Sequence, residues 1–191
     1  LNRIIGMSGK YSNGVVNSKD VSNFHANELT AVDEILKNVE NNLLELQTNR
    51  YLEDLWKALS IANQAITVHE PWVKIKEGKV DQALALVALV SNILARVAIL
   101  LHPVMPKTTV TIAKALGFDI TTANYDKYVV RKSFLDEFTI EKVPPLFPRI
   151  EEELMAQPTP PVVVEAAPAK KDKKGTAAVR RSKVFVIFAG K

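Results

Sequence analysis

The chain contains no cysteine. Disulfides, a thiolate nucleophile and cysteine-ligated zinc are therefore excluded within it, and a reducing, cytoplasmic setting fits. Glycine is scarce, 7 in 191 residues, and Gly6 and Gly9 do not build a loop that cradles phosphates. Only three histidines occur, His25, His69 and His102. They lie far apart in sequence without metal-ligand spacing, so each is expected to be structural or solvated. No nucleophile is paired with a base, and Glu151-Glu152-Glu153 reads as a solvated run. The start lacks a basic region followed by an apolar stretch, so no signal peptide is expected. The chain opens without Met on Leu1-Asn2-Arg3-Ile4-Ile5, in what reads as mid-helix, as a piece of a larger protein would. Catalysis is not expected of this piece alone.

What is present is the balance of a globular domain, 47% hydrophobic and 24% charged residues. The net charge of +4 is unevenly placed. Residues 1–155 carry 17 Lys+Arg against 19 Asp+Glu, whereas residues 156–191 carry 8 against 2. The body has no global basic field, and any nucleic-acid binding there must rest on a local site.

Helical periodicity dominates the body. Residues 1–11 read as a helix end and Tyr11–Asn23 as a polar loop. Leu29, Val32, Leu36, Val39, Leu43 and Leu46 recur every three or four residues and predict one inward helix face. A second helix is expected over Arg50–Val68, with Leu52, Leu55, Trp56, Leu59, Ala62 and Ile66 as its stripe. Pro71 disfavours helical geometry at Glu70 and should end it, leaving Val73–Gly78 as a loop. Val80–Leu101 is apolar nearly all round and long enough for a membrane span. Asp81, Gln82, Ser91, Asn92 and Arg96 interrupt it, which favours a buried core helix and no membrane. A further helix starts at Pro106 or Thr108, with Val110, Ala113 and Leu116 inward and Gly117 as C-cap. Residues 118–142 are mixed, and Phe134–Ile140 is irregular or a short strand. Pro144, Pro145 and Pro148 frame Leu146-Phe147 as an extended apolar clip across the bundle, before a final turn over Glu151–Met155. The fold class is all-α, an antiparallel helix bundle over residues 1–155.

Residues 156–191 form a Pro/Ala/Lys-rich linker or tail, mostly disordered and basic, or the start of a further domain. Val184–Phe188 has high strand propensity. Lys170, Lys171, Lys173, Lys174, Arg180 and Arg181 either solubilise this tail or hold RNA phosphates regardless of sequence.

Three residues of the body carry the functional reading. Trp72, next to Pro71, is either a core plug or an outward aromatic face on which an unpaired base stacks. Asn63 is a surface amide or a buried one needing partners. Arg3 on its own reads as a surface residue. Together an arginine, an amide and an indole suit unpaired bases: charge for the backbone, hydrogen bonds for a base edge, and stacking.

Arg3 in Leu1-Asn2-Arg3, Asn63 followed by Pro71-Trp72, the string Leu101-His102-Pro103-Val104-Met105-Pro106, and the closing Leu146-Phe147-Pro148-Arg149-Ile150-Glu151 occur in one order. Over residues 1–152 this resembles the C-terminal anticodon-binding domain of bacterial-type methionyl-tRNA synthetases. The closing string is the most specific part. The resemblance implies the helix bundle shared by class I synthetases and recognition of the CAU anticodon of methionine tRNA. It implies that Trp72, beside Pro71, stacks on an anticodon base, that Arg3 contacts the first anticodon nucleotide, and that Asn63 supports this surface. The partners implied are methionine tRNA and the catalytic domain of the same enzyme, a cytoplasmic ligase. ATP, methionine and zinc would belong to that catalytic part, with no cofactor in this piece.

The sequence departs from the family in places. A family asparagine four residues before the matched arginine would precede Leu1. Ala65 and Thr67 stand where members often have tyrosine and an acidic residue. The catalytic signature motifs and the cysteines of the zinc insertion are absent. Two alternatives remain: the same bundle from another class I synthetase, or a helical scaffold that binds protein partners and no RNA.

Overall fold

The computed structural model describes residues 1–148. In chain order it comprises α1 (Asn2–Tyr11), β1 (Val15–Asn17), α2 (Val21–Phe24), α3 (Ala26–Leu36), α4 (Val39–Leu44), α5 (Thr48–His69), α6 (Pro71–Lys76), α7 (Val80–Leu101), α8 (Pro106–Ala115), α9 (Thr122–Tyr125) with a π-turn over Asp126–Val130, and β2 (Glu137–Thr139). The architecture is the expected helix bundle, with one small addition. β1 and β2 pair antiparallel, Val16 opposite Phe138.

The axis of the fold is α7. Its composition would suit a bilayer, with mean hydropathy 2.4 over its most apolar window, yet 94% of that window is buried in the protein. Helices α1, α2, α5, α6 and α8, together with β1 and the π-turn, all pack on it. An apolar surface on every side therefore meets protein on every side, as the core-helix reading requires.

The polar residues inside α7 are each satisfied. Ser91 donates back to the Val87 carbonyl at 2.8 Å. Asn92 donates to Ser18 Oγ at 2.9 Å and the Ala88 carbonyl at 2.8 Å, and accepts from the Leu135 backbone N–H at 2.8 Å. One amide thus ties the segments leading out of β1 and into β2 to the core helix. Arg96, 5% exposed, donates to Asp33 Oδ1 at 2.6 Å and to the Lys132 carbonyl at 3.1 Å. Tyr51 is fully enclosed, and its hydroxyl donates to the Leu100 carbonyl.

Several local expectations are corrected. The helix expected through Leu29–Leu46 breaks after Leu36, and α4 restarts at Val39. Val32 and Val39 stay inward, but Leu43 is partly exposed and Leu46 is 85% exposed at φ 57°. A 3.6-residue phase does not carry across a break: Val39 restarts α4 on the core face, but α4 ends at Leu44 and Leu46 lies in the turn beyond it. Trp56 is 52% exposed. The buried ladder of α5 runs Tyr51, Leu55, Ala58, Ala62, Ala65 and Ile66, and Trp56 stands about 100° from Leu55. Val110 is outward on α8. The expected loop over Val73–Gly78 is largely helix, because α6 begins at once with Pro71 at its first position, where proline's fixed φ is already helical. The polar stretch Tyr11–Asn23 holds both β1 and α2.

Other expectations hold. Gly117, at φ 74°, follows the Leu116 cap of α8 and takes the left-handed position that ends the helix. Gly14, at φ 85°, turns the chain into β1 so closely under the Ile140 carbonyl that an added Cβ would lie 3.3 Å from it. The expected final turn over Glu151–Met155 and the tail lie outside the described residues.

Candidate nucleic-acid interface

A groove of about 550 Å³ opens between α1, α5, α7 and α8. Its walls are apolar, including Ile66, Leu94, Leu101, Met105 and Ile112. Arg3 and Asn63 line it together, although 60 residues separate them in sequence, because α1 and α5 both pack on α7. Both are exposed. The segment Pro145-Leu146-Phe147 supplies another side, so the proline-framed clip runs along this groove, with Phe147 70% exposed.

Trp56 lines the same groove. Sequence reasoning placed it in the core, whereas the structure puts it on the groove wall. The usable signal was the 4-3-4-3 spacing of Tyr51, Leu55, Ala58, Ala62 and Ala65, which leaves position 56 off the buried face.

Trp72 is not part of the groove lining. It lies on α6, 45% exposed, so it is no core plug. The neighbouring Pro71 is buried. Asn63 stands about 9 Å along the α5 axis from His69, the last helical residue. There Glu70 adopts φ 41° and ψ 64°. A non-glycine residue in this left-handed conformation costs roughly 1–2 kcal/mol. The turn lets α6 start immediately and pack on α7, which brings the indole close to the end of α5. Of the positions that depart from the family pattern, Ala65 is buried, and Thr67 donates to the Asn63 carbonyl at 3.3 Å.

The structure also brings together two histidines expected to be unrelated. The His25 and His69 rings meet edge-on at 4.7 Å between centroids. His69 Nε2 lies 2.5 Å from Glu28 Oε1, and His25 Nδ1 lies 3.9 Å from Glu28 Oε2. His25 is 2% exposed, and neither of its ring nitrogens has a hydrogen-bond partner among the described residues. Burial, then the neighbouring His69, and also Lys74, lower its pKa from 6.5 to about 4, against the opposing pull of Glu28. Burial pushes the Glu28 carboxyl upward, but the hydrogen bond with His69, a backbone N–H and the two imidazoles outweigh it and hold the carboxyl below its ordinary 4.5. His102 is separate, with Nδ1 2.9 Å from Thr109 Oγ1.

The sign of the His25 shift gives a prediction. The unfolded chain takes up a proton between pH 6.5 and about 4 that the folded chain resists. Stability should therefore fall as pH drops through that window. Thermal melts across it should slope steeply for the parent and less for His25→Phe; identical slopes would remove His25 as the cause.

A family model described as the anticodon binding domain of methionyl tRNA ligase matches residues 16–158. The methionine–tRNA ligase of Campylobacter jejuni is 48% identical over 157 residues, 82% of this chain and 25% of that protein. The Helicobacter pylori enzyme is 32% identical over 151 residues, 79% of this chain and 23% of that protein. The chain thus spans about a quarter of the length of the curated relatives it matches. In fold it is similar to the crystal structure of apo Mycobacterium tuberculosis methionyl-tRNA synthetase, with TM-score 0.66 and 23% identity over 78% of this chain and 31% of that one. The family model covers the bundle from β1 onward and ends beyond the proline-framed clip, and on that match the chain belongs to the anticodon-binding domains of methionyl-tRNA ligases.

Proposed function

We propose that this domain binds the anticodon loop of methionine tRNA and reads CAU there. In this reading it fixes the tRNA while the catalytic domain of the same cytoplasmic enzyme joins methionine to it at the expense of ATP. ATP, methionine and the zinc of the family's cysteine-bearing insertion belong to that other domain. The observation that carries the reading is an indole left 45% exposed on α6, beside the α5 end of a helix that also presents Asn63 to a groove shared with Arg3. An exposed tryptophan offers a sequence-tolerant stacking face, and the amide and guanidinium offer donors to base edges and phosphates. Because residues 1–155 carry slightly more acidic than basic groups, affinity comes from this local set. The six basic tail residues from Lys170 to Arg181 add phosphate contacts that carry no sequence information.

The test is a titration with a methionine tRNA anticodon stem-loop beside one carrying a single changed anticodon base. Trp56 is exposed, so it would respond too, and the titration belongs in a Trp56→Phe background. Quenching of Trp72 by the CAU loop alone is the expected result. Equal response to both loops, or to loops of other tRNAs, would defeat the CAU reading. Arg3→Ala should weaken binding to the CAU loop more than to the altered loop. Equal losses would leave Arg3 only a backbone contact, since phosphate contacts position without specifying.

A further inference from the structure

We propose that His25, Glu28 and His69 form a binding site for a divalent transition-metal ion of the zinc type. The three residues come from the start of α3 and the end of α5 and belong to no part of the anticodon reading. Each offers one ligand atom, and these atoms all lie within 4.8 Å of one another. A tetrahedral ion with ligand bonds near 2.1 Å holds its ligand atoms about 3.4 Å apart. The existing separations straddle that value, at 2.5 Å for His69–Glu28 and 3.9 Å for His25–Glu28. An ion would take the place of the proton that His69 and Glu28 share.

A further observation points to a ligand. A buried imidazole normally satisfies at least one ring nitrogen, but among the described residues neither nitrogen of His25, which is 2% exposed, has a partner. A metal would satisfy one of them. The site lies between the last residue of the 22-residue helix α5, whose free carbonyls favour a cation, and the first turn of α3, whose free N–H groups oppose one, so the helix ends leave the choice to the ligand set. Lys74 opposes a cation here, and its ammonium donates to Gln82 Oε1 at 3.0 Å. Two imidazoles and one carboxylate suit zinc, cobalt or nickel in preference to calcium or magnesium. Glu28 and His69 are 21% and 24% exposed, so water can complete the coordination. The ion would clamp α3 to the residue that precedes Glu70, and through that turn it would stiffen the seat of Trp72.

The experiment titrates the 191-residue chain with Co(II) and follows its visible absorption. One equivalent should give intense tetrahedral bands, displaceable by Zn(II). Zn(II) should raise the melting temperature, and a chelator should reverse the rise. His69→Ala and Glu28→Gln should each weaken Co(II) binding by more than about tenfold, because even outer partners of metal ligands change affinity 10- to 100-fold. His102→Ala should bind as the parent does. Circular dichroism of the apo variants confirms folding. A further readout is the ¹⁵N shift of the His25 and His69 rings on adding Zn(II), which should move both. Absence of saturable binding, or binding retained by folded His69→Ala, would overturn the site.

Discussion

Trp72→Ala is expected to weaken binding of a methionine tRNA anticodon stem-loop by about ten- to a hundredfold, corresponding to roughly 1–3 kcal/mol for one stacked base. The same substitution should change stability by about 1 kcal/mol or less. The indole is 45% exposed, whereas the residue that anchors α6 is the buried Pro71. The two effects separate the possible roles of the side chain. A stacking platform costs affinity and little melting temperature. A packing residue costs melting temperature and little affinity, and that second pattern would end the proposal for Trp72. Trp72→Phe should retain part of the affinity, because a smaller aromatic face still stacks.

The largest stability effect is expected at the Arg96–Asp33 pair. Arg96 is almost fully enclosed in α7, and its guanidinium reaches Asp33 at 2.6 Å. Asp33 also accepts from Lys132 Nζ at 2.9 Å. Asp33→Ala leaves a buried cation without its counter-ion and should cost about 3 kcal/mol in urea denaturation. Lys132, 52% exposed, contributes an outer ion pair, so Lys132→Ala should cost less than about 1 kcal/mol. Replacing both partners, Asp33→Leu with Arg96→Met, should recover most of the loss, because no charge is then left unpaired in the interior. A cost below about 1 kcal/mol for Asp33→Ala would mean that water reaches Arg96 and that the pair is peripheral to stability.

How much was legible differs from element to element for physical reasons. Helix α7 was legible because 22 mostly apolar residues with a few scattered polar ones have one stable solution in water, enclosure by other helices. The end of α5 was legible because proline constrains the residue before it. The immediate restart as α6 was not. It depends on Glu70 accepting a left-handed conformation, which only packing against α7 repays. The stripe through Leu43 and Leu46 failed because periodicity assumes an unbroken helix, and the break after Leu36 reset its phase. Trp56 was misplaced because its spacing from Leu52 and Leu59 put it in their stripe, while the buried face runs through Tyr51, Leu55 and Ala58 and leaves it on the groove side.

The sequence by itself determined the helical class of the bundle, the buried central helix and the family. These follow from local periodicity, from proline and glycine stereochemistry, and from motif order, all of which act over short stretches of chain. Only the tertiary structure decided which distant residues meet. It set Arg3 and Asn63 in one groove with Trp56 and left Trp72 outside it. It paired Val16 with Phe138 and closed His25 and Glu28 onto His69. Such meetings are set by how helices pack around α7, and no local rule along the chain carries that information.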